Sequence, residues 1–212
     1  YQSWQRAAAP LAERSQLELV HSESYLDMVF DVTGDADEPA PLDADTWASK
    51  RGYECASRAA GGACLAVDMV MENKASTAFS LMRPPGHHAE PEQAMGFCLF
   101  SSAAIAARHA QQKWGLNRIA VIDFDVHHGN GTQACFWNDG SLFYASSHQM
   151  PLFPGTGAYD ETGAYQNIFN LPLAYGTGGS SIRSGWRDDL LPSVVAAKPD
   201  LIIISAGFDA HE

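Results

Sequence analysis

The chain has 212 residues, of which 46% are hydrophobic and 18% are charged, and its formal net charge at pH 7 is −12. This composition is typical of one large globular domain with a substantial core, and no apolar run reaches the length of about 18 residues that a membrane span needs. Because nucleic acid requires a basic face on its partner, the negative charge argues against direct nucleic-acid binding. The same charge is compatible with a cationic substrate.

The N-terminal part of the chain is predicted to be mainly helical. Residues 11–30 have the spacing of short helices, and the acidic, Gly- and Pro-containing residues 31–47 predict a loop. Asp45 or Thr46 is predicted to cap the helix that follows, and Gly61-Gly62 is predicted to be a weak point within that helix.

Strands and helices are predicted to alternate in the rest of the chain. The predicted strands are 77–82, 118–124, 141–147 and 200–207, with a long loop over 148–167, and the predicted helices are 97–115, closed by Gly115, and 182–197. Continuous apolar runs such as "RIAVIDF" and "DLIIISAG" indicate strands that are buried on both faces. The alternation predicts βαβ units and a parallel sheet.

A polar cluster follows each predicted strand. The clusters are Gly86-His87-His88, Asp123 to His128, Ser146-Ser147-His148 and Asp209-Ala210-His211. In open parallel sheets, ligands bind outside the carboxyl ends of the strands. The four clusters therefore predict one functional site at that edge of the sheet.

The segment Asp123 to His127 predicts a metal site. In an extended backbone, residues 123, 125 and 127 point to one side, where two carboxylates would repel each other unless a cation lay between them. Asp209 is the candidate for a further ligand from a distant strand end. Two carboxylates and one imidazole with an open position are typical of a hydrolytic site for zinc or another first-row divalent ion.

The doublet His87-His88 predicts acid–base chemistry beside that metal. One imidazole can accept a proton from water and return it to a leaving group, while the other stays cationic next to a buried carboxylate. Asp123 is the candidate carboxylate, and Asn130 is the candidate to orient the other histidine. Phe97 and Phe153, each close to glycines in a loop, predict the walls of a narrow channel.

Several motifs occur in the order and spacing of one known family, namely "RPPGHHA", "GFCLFSSAAIA", "DFDVHHGNGTQ", "LFYASSHQ", "FPGTGAYDETG" and "SAGFDAH". From about residue 17 to 212 the chain resembles the zinc-dependent histone deacetylase and acetylpolyamine amidohydrolase superfamily. "FPGTGAYDETG", and Asn130 where many members carry Asp, make it most similar to class II deacetylases and bacterial histone deacetylase-like amidohydrolases. The resemblance implies the arginase/deacetylase fold, an α/β three-layer α/β/α sandwich with a mainly parallel sheet.

The resemblance also implies functional roles. One zinc ion would be bound by Asp125, His127 and Asp209. His88 would act as general base and acid, with His87 and Asp123 as an electrostatic pair. The acyl-lysine tunnel would be lined by Gly96, Phe97 and Phe153. Members of the family also bind potassium: a nearer site would use Asp123, Asp125, His127, Ser146 and Ser147, and a farther site Phe136, Asp139, Leu142 and Asn167.

The chain departs from the family pattern in two places. The family's catalytic tyrosine lies in a glycine-rich motif beyond the third zinc ligand, and its His-Pro-Glu region lies near the N-terminus; neither occurs in residues 1–212. We therefore expect one deacetylase catalytic domain that is truncated at both ends, and slow turnover by this chain alone.

The resulting hypothesis is a zinc-dependent amidohydrolase that removes acetyl or other acyl groups from lysine side chains or similar cationic amines. Its substrate is an acetyl-lysine protein or an acetylated polyamine, and the sequence leaves both open. A dinuclear manganese ureohydrolase and a non-catalytic acyl-lysine reader are alternatives from other classes. The four cysteines form no C-x-x-C motif and are predicted to be free thiols: Cys55, Cys64, Cys98 and Cys135. Because no signal peptide is visible, we expect a cytoplasmic location.

Overall fold

A computed structural model describes residues 4–34 and 38–211, so that residues 35–37 of the predicted acidic loop lie outside the described residues. The helices are α1 (Arg14–Leu17), α2 (Glu23–Gly34), α3 (Gly52–Met71), α4 (Ser102–Trp114), α5 (Asn130–Phe136), α6 (Gly179–Gly185) and α7 (Leu191–Ala197), with a π-helical turn (Trp186–Leu190) between the last two. The strands are β1 (Ala40–Pro41), β2 (Trp47–Ala48), β3 (Ile119–Asp123), β4 (Leu142–Gln149), β5 (Ile168–Leu173) and β6 (Leu201–Ser205). None of the helices in these described ranges is both long and apolar enough to cross a membrane.

The main sheet is parallel and has the strand order β5-β4-β3-β6, which confirms the predicted parallel sheet. In the register of the sheet, Asp123 at the end of β3 lies beside Ser146 of β4 and Ser205 of β6. The carboxyl ends of three strands therefore meet where the polar clusters begin. Strand β5 was not predicted, because Asn170 and Pro172 interrupt its apolar pattern; an edge position tolerates a proline that cannot donate to the ladder.

The sheet separates two layers of helices. Ile119 and Val121 of β3 pack against α3 and α4 on one face. Ala120, between them in the strand, points to the other face and packs with Leu190 and Val194 of the α6–α7 segment. The predicted three-layer α/β/α sandwich is thus confirmed.

Strand β6 does not have the predicted burial on both faces. Leu201 and Ile203 pack into the α3–α4 face, whereas Ile202 and Ile204 are 49% and 60% exposed. Among the described residues, β3 is the only strand that pairs with β6, and the cluster on the α6–α7 face contains side chains of β3, β4 and β5 but none of β6.

Three local predictions in the first half are wrong. Residues 77–82 form no strand, since no strand of the described chain pairs with them, and they run along α3 near Gly62. Helix α3 begins at Gly52, with Arg51 rather than Asp45 or Thr46 at its N-cap. Gly61 is not a weak point in α3, because its missing side chain leaves the space through which the backbone of residues 10–12 crosses the helix. By contrast, Gly115 ends α4 with a φ of 66°, as predicted.

Candidate active site

Two carboxylates and one imidazole converge beyond the ends of β3 and β6. The Nδ1 atom of His127 lies 2.9 Å from Oδ2 of Asp209 and 3.1 Å from Oδ1 of Asp125. One ligand atom from each of the three residues lies within 4.8 Å of the others. The loop after β6 passes so close to Asp125 that a side chain at Gly207 would overlap its carboxylate.

The chain reaches this arrangement by a tight turn rather than by the extended backbone assumed from the sequence. Strand β3 ends at Asp123. The backbone N–H of Asp125 then donates to Oδ1 of Asp123 at 3.1 Å, and the N–H of His127 donates to Oδ1 of Asp125 at 2.8 Å. Asp123 is fully buried, and its carboxylate contacts His87 instead of joining the cluster of Asp125, His127 and Asp209.

The buried carboxylate of Asp123 binds His87. Its Oδ2 atom lies 3.0 Å from Nδ1 of His87 and accepts the hydroxyl of Tyr144 at 3.1 Å. The Tyr144 hydroxyl also accepts the backbone N–H of Gly129 at 3.0 Å, so the carboxylate is fixed by two elements. Tyr144 was not singled out from the sequence, where it is one aromatic residue in the mainly apolar first half of β4.

His88 binds an amide instead of a carboxylate. Its Nδ1 atom lies 2.9 Å from Oδ1 of Asn130, at the first residue of α5. Gly131, the next residue, packs against the backbone of residues 88–89 where any side chain would overlap it. The glycine therefore permits the short distance between Asn130 and His88.

The different partners shift the pKa values of the two imidazoles in opposite directions. Burial alone would lower the pKa of His87, but the charge of Asp123 and its hydrogen bond outweigh burial and raise that pKa. Burial, together with the neighbouring charge of His87, lowers the pKa of His88 to about 4. The surroundings thus favour the cationic form of His87 and the neutral form of His88, whose ring centroids lie 4.0 Å apart.

The convergent cluster fits a divalent cation. Burial raises the pKa of Asp125, which reflects the cost of holding its negative charge there. With the charge of Asp123 balanced by His87, Asp125 and Asp209 would leave two negative charges facing each other. One Zn²⁺ ion would balance them, and nitrogen and carboxylate oxygen are donors that zinc accepts.

Two of the residues predicted to line a channel, Phe153 and Gly96, lie against the ring of His88. Phe153 is 5.0 Å from the ring of His88 and 6.3 Å from that of His127, measured between ring centroids. Phe97 is 64% exposed, as expected for a side chain at an opening. Gly96 has a φ of 55° and contacts the His88 ring so closely that a side chain there would overlap it.

Asp45 and Thr46 hold the loop that carries Phe97. The backbone N–H of Gly96 donates to Oδ1 of Asp45 at 3.2 Å, and that of Phe97 donates to Oγ1 of Thr46 at 3.0 Å. The side-chain oxygens that were predicted to accept N–H groups at a helix start therefore accept N–H groups of a distant loop instead. This role could not be predicted, because an Asp or Thr that caps a nearby helix looks the same in the sequence as one that binds a distant loop.

A second buried network anchors the loop that carries Phe153. Nδ1 of His128 lies 2.7 Å from Oγ1 of Thr156. Oε2 of Glu161 accepts the backbone N–H of Gly157 at 3.0 Å and the side-chain amide of Gln133 at 2.6 Å. The loop is thus bound to α5, the helix that begins with Asn130.

The residues proposed from the sequence for potassium occupy two places. Near the candidate metal cluster, Ser146 Oγ lies 2.9 Å from Nδ1 of His148, and Ser147 Oγ accepts the indole N–H of Trp186 at 2.8 Å. At the farther place, the amide nitrogen of Asn167 faces three carbonyl oxygens at 2.7–3.1 Å: those of Phe136, Asp139 and Leu142.

Comparisons with known proteins agree with this geometry. The family model described as "Histone deacetylase domain" matches residues 2–212. The histone deacetylase-like amidohydrolase of Pseudomonas aeruginosa is 39% identical over 212 residues, covering 98% of this chain and 55% of that protein. The chloroplastic histone deacetylase 10 of Oryza sativa subsp. japonica is also 39% identical, covering 94% of this chain and 48% of that protein.

The fold agrees as well. A crystal structure of the HDA15 HD domain superposes with a TM-score of 0.90 at 35% identity, covering 97% of this chain and 61% of that one. The chain spans about half the length of the curated relatives it matches. The family match covers residues 2–212, and the superposed fold covers 97% of the chain, including the candidate site. This chain therefore belongs to the histone deacetylase family.

Proposed function

We propose that the protein is a zinc-dependent deacetylase that hydrolyses the amide of acetylated lysine side chains or similar cationic amines. The observation that carries the proposal is the convergence of Asp125, His127 and Asp209 beside two adjacent imidazoles whose pKa values are shifted in opposite directions. In this proposal residues 1–212 belong to one deacetylase catalytic domain whose remaining parts lie in the longer protein.

Asp125, His127 and Asp209 would hold the zinc ion. When bound, zinc would supply Lewis acidity toward the acyl oxygen and the attacking water. Because two carboxylate ligands offset the ion's charge, its Lewis acidity would be weaker than with three neutral imidazoles. The two histidines and a further hydrogen-bond donor toward the acyl oxygen would then contribute more of the rate enhancement.

His88 would act as the general base and acid. Its Nδ1 atom is used by Asn130, which leaves the lone pair of Nε2 to accept a proton from water and return it to the departing amine. A pKa near 4 favours the neutral form that can accept this proton. His87, cationic beside Asp123, would stabilise negative charge that develops at the acyl oxygen.

The substrate is proposed to carry its acetyl group on a cationic amine. Phe97 and Phe153 would contact the aliphatic stem, and the net charge of −12 would attract the cation. Deacetylation assays of the full-length protein on an acetyl-lysine peptide and on an acetylated polyamine, side by side, test the substrate class. Zinc bound at one per chain with no hydrolysis of either compound would defeat the enzymatic proposal and favour a binding role.

A cytoplasmic location is part of the same proposal. All four cysteines are free, which suits a reducing compartment. Two plant relatives are named as chloroplastic, so members of this family work in more than one compartment.

Potassium is proposed to bind at Asn167. Within the described residues no donor reaches Oδ1 of Asn167, which is buried, while its Nδ2 atom has two hydrogens for three carbonyl oxygens. Rotating the amide by half a turn would direct Oδ1 toward the three carbonyls. A monovalent cation among four oxygens would then satisfy every one of them.

A further inference from the structure

Glu90 contacts the side of Asn130 that faces away from His88. Its Oε1 atom accepts the Nδ2 amide hydrogen of Asn130 at 2.8 Å. The same nitrogen lies 3.3 Å from the carbonyl oxygen of His88 and 3.3 Å from Sδ of Met95. Glu90 has no role implied by the family resemblance, and it is not part of the metal cluster.

These three neighbours fix the orientation of the amide. A carboxylate, a carbonyl oxygen and a thioether sulfur are all acceptors, so the NH₂ end of Asn130 must face them. The amide oxygen is then directed at Nδ1 of His88, which has to carry a hydrogen to donate to it. Rotating the amide would place its oxygen against the Glu90 carboxylate, where two acceptors repel.

We infer that Glu90 is a positioning residue which, through Asn130, holds His88 in the tautomer that carries its hydrogen on Nδ1 and leaves Nε2 free. The catalytic meaning of this inference rests on the proposed deacetylase function. The connection Glu90–Asn130–His88 resembles the direct pair Asp123–His87, with one difference. A neutral amide stands between the carboxylate and the imidazole, so the ring is oriented without being bound to a charged group.

Glu90 is itself held in place. Its backbone N–H donates to the carbonyl oxygen of Gln93 at 2.9 Å, which closes a tight turn over residues 90–93. The carbonyl oxygen of Pro91 in this turn lies 3.1 Å from Nδ1 of the buried His21. The turn therefore presents the carboxylate to Asn130 from a fixed backbone.

Two substitutions of Glu90 distinguish the effect of its hydrogen bond to Asn130 from the effect of its packing. Glu90→Leu keeps a similar volume without an acceptor, and a surface cavity of about 330 Å³ beside Glu90 and Asn130 leaves room for it. Glu90→Gln keeps an acceptor oxygen without the charge. The control is Glu92→Leu, which removes an exposed carboxylate from the same turn.

In the zinc-loaded full-length protein, we expect Glu90→Leu to lower kcat by about 10- to 100-fold with little change in KM, as for other groups that orient a catalytic side chain. We expect Glu90→Gln to recover most of this loss and Glu92→Leu to match the unmodified protein. Equal kcat for Glu90→Leu and the unmodified protein would overturn the inference.

A measurement without zinc tests the tautomer directly. In metal-free protein with ¹⁵N-labelled histidine, the ring nitrogens of His88 should show a protonated Nδ1 and an unprotonated Nε2, and Glu90→Leu should mix the two tautomers. An Nε2-protonated His88 in the unmodified protein would overturn the inference even if Glu90→Leu did not fold. An unmodified protein with the expected tautomer and no deacetylase activity would instead contradict the proposed function alone.

Discussion

Nδ1 of His127, just after β3, lies 2.9 Å from Oδ2 of Asp209, just after β6. The two residues are far apart in the chain and meet because β3 and β6 are parallel neighbours whose carboxyl ends coincide. This distance is the contact on which the proposed metal site depends, since Asp125 and His127 alone would offer only two ligands.

Asp209→Asn should therefore remove zinc. We expect the zinc content of the purified protein to fall from about one ion per chain to a small fraction, because a neutral amide leaves one carboxylate fewer to balance the ion. Metal analysis after dialysis measures the change. Asp160→Asn, which alters an exposed carboxylate of a nearby loop, should keep its zinc; equal loss in both variants would contradict the assignment.

Phe153→Ala should weaken substrate binding more than it affects stability. The ring contacts His88 and is 39% exposed, so its loss opens the proposed channel without emptying a core. We expect KM for an acetyl-lysine peptide to rise about tenfold, as for loss of roughly 1.4 kcal/mol of apolar contact. Tyr159→Ala, at a position 75% exposed in the same loop, serves as the control and should leave KM unchanged.

Thr46→Val tests the anchor of the Phe97 loop. Valine has nearly the same shape as threonine but cannot accept the Phe97 N–H at 3.0 Å. The loss should cost about 1 kcal/mol of unfolding free energy and raise KM severalfold with kcat nearly constant. Thr77→Val, at an exposed position, is the matched control in denaturant titrations and kinetics. Unchanged KM in Thr46→Val would show that Phe97 does not depend on this anchor.

Acid should destabilise the protein through His21. Burial lowers the pKa of His21 from 6.5 to about 4 in the folded chain, so between these values the unfolded state binds more protons. Stability is therefore complete above about pH 6.5 and falls, by at most about 1.4 kcal/mol per pH unit from this residue, as the pH drops toward 4.

The matched variant for this effect is His21→Gln. A glutamine can donate to Pro91 and accept from the Ser101 N–H as the imidazole does, but it does not titrate in this range. We expect the difference in unfolding free energy between variant and unmodified protein to shift in favour of the variant as the pH falls. Parallel curves for the two proteins from neutral pH to pH 5 would contradict a neutral, buried His21.

Replacing potassium by a large organic cation should lower the melting temperature if Asn167 helps to bind an ion. Asn167→Leu should reduce this dependence, since it removes one of four oxygens at the farther of the two proposed sites. Thermal unfolding in both salts measures it. Asn73→Leu, at the C-terminal end of α3, should retain the full salt dependence; the same loss there would contradict a site at Asn167.

Much of the fold and site could be predicted because buried parallel strands and their polar ends leave a local signal. The apolar runs of β3 and β4, each followed by ionisable residues, indicated both the sheet and its functional edge. Strand β5 was missed because Pro172 obscures its pattern, and residues 77–82 were wrongly assigned because an apolar alternation does not reveal whether a neighbouring strand is there to pair with it.

The parts that could not be predicted depend on contacts between distant segments. Asp45 and Thr46 look like a helix cap until the Gly96–Phe97 loop is placed beside them. Glu90 has no local signal either, because its effect passes through Asn130 to a histidine. From a single sequence, the groups that react are easier to recognise than the groups that orient them.

The glycine at residue 207 links the metal site to the assembly of the sheet. Its backbone lies directly against Asp125, so the carboxylate of Asp209 reaches Asp125 and His127 only when β6 has docked on β3. Any ion held there would link β6 to β3 and add its binding free energy to the attachment of β6. Amide hydrogen exchange in β6 should then slow when metal is added, which would make this strand a reporter of metal occupancy at the candidate site.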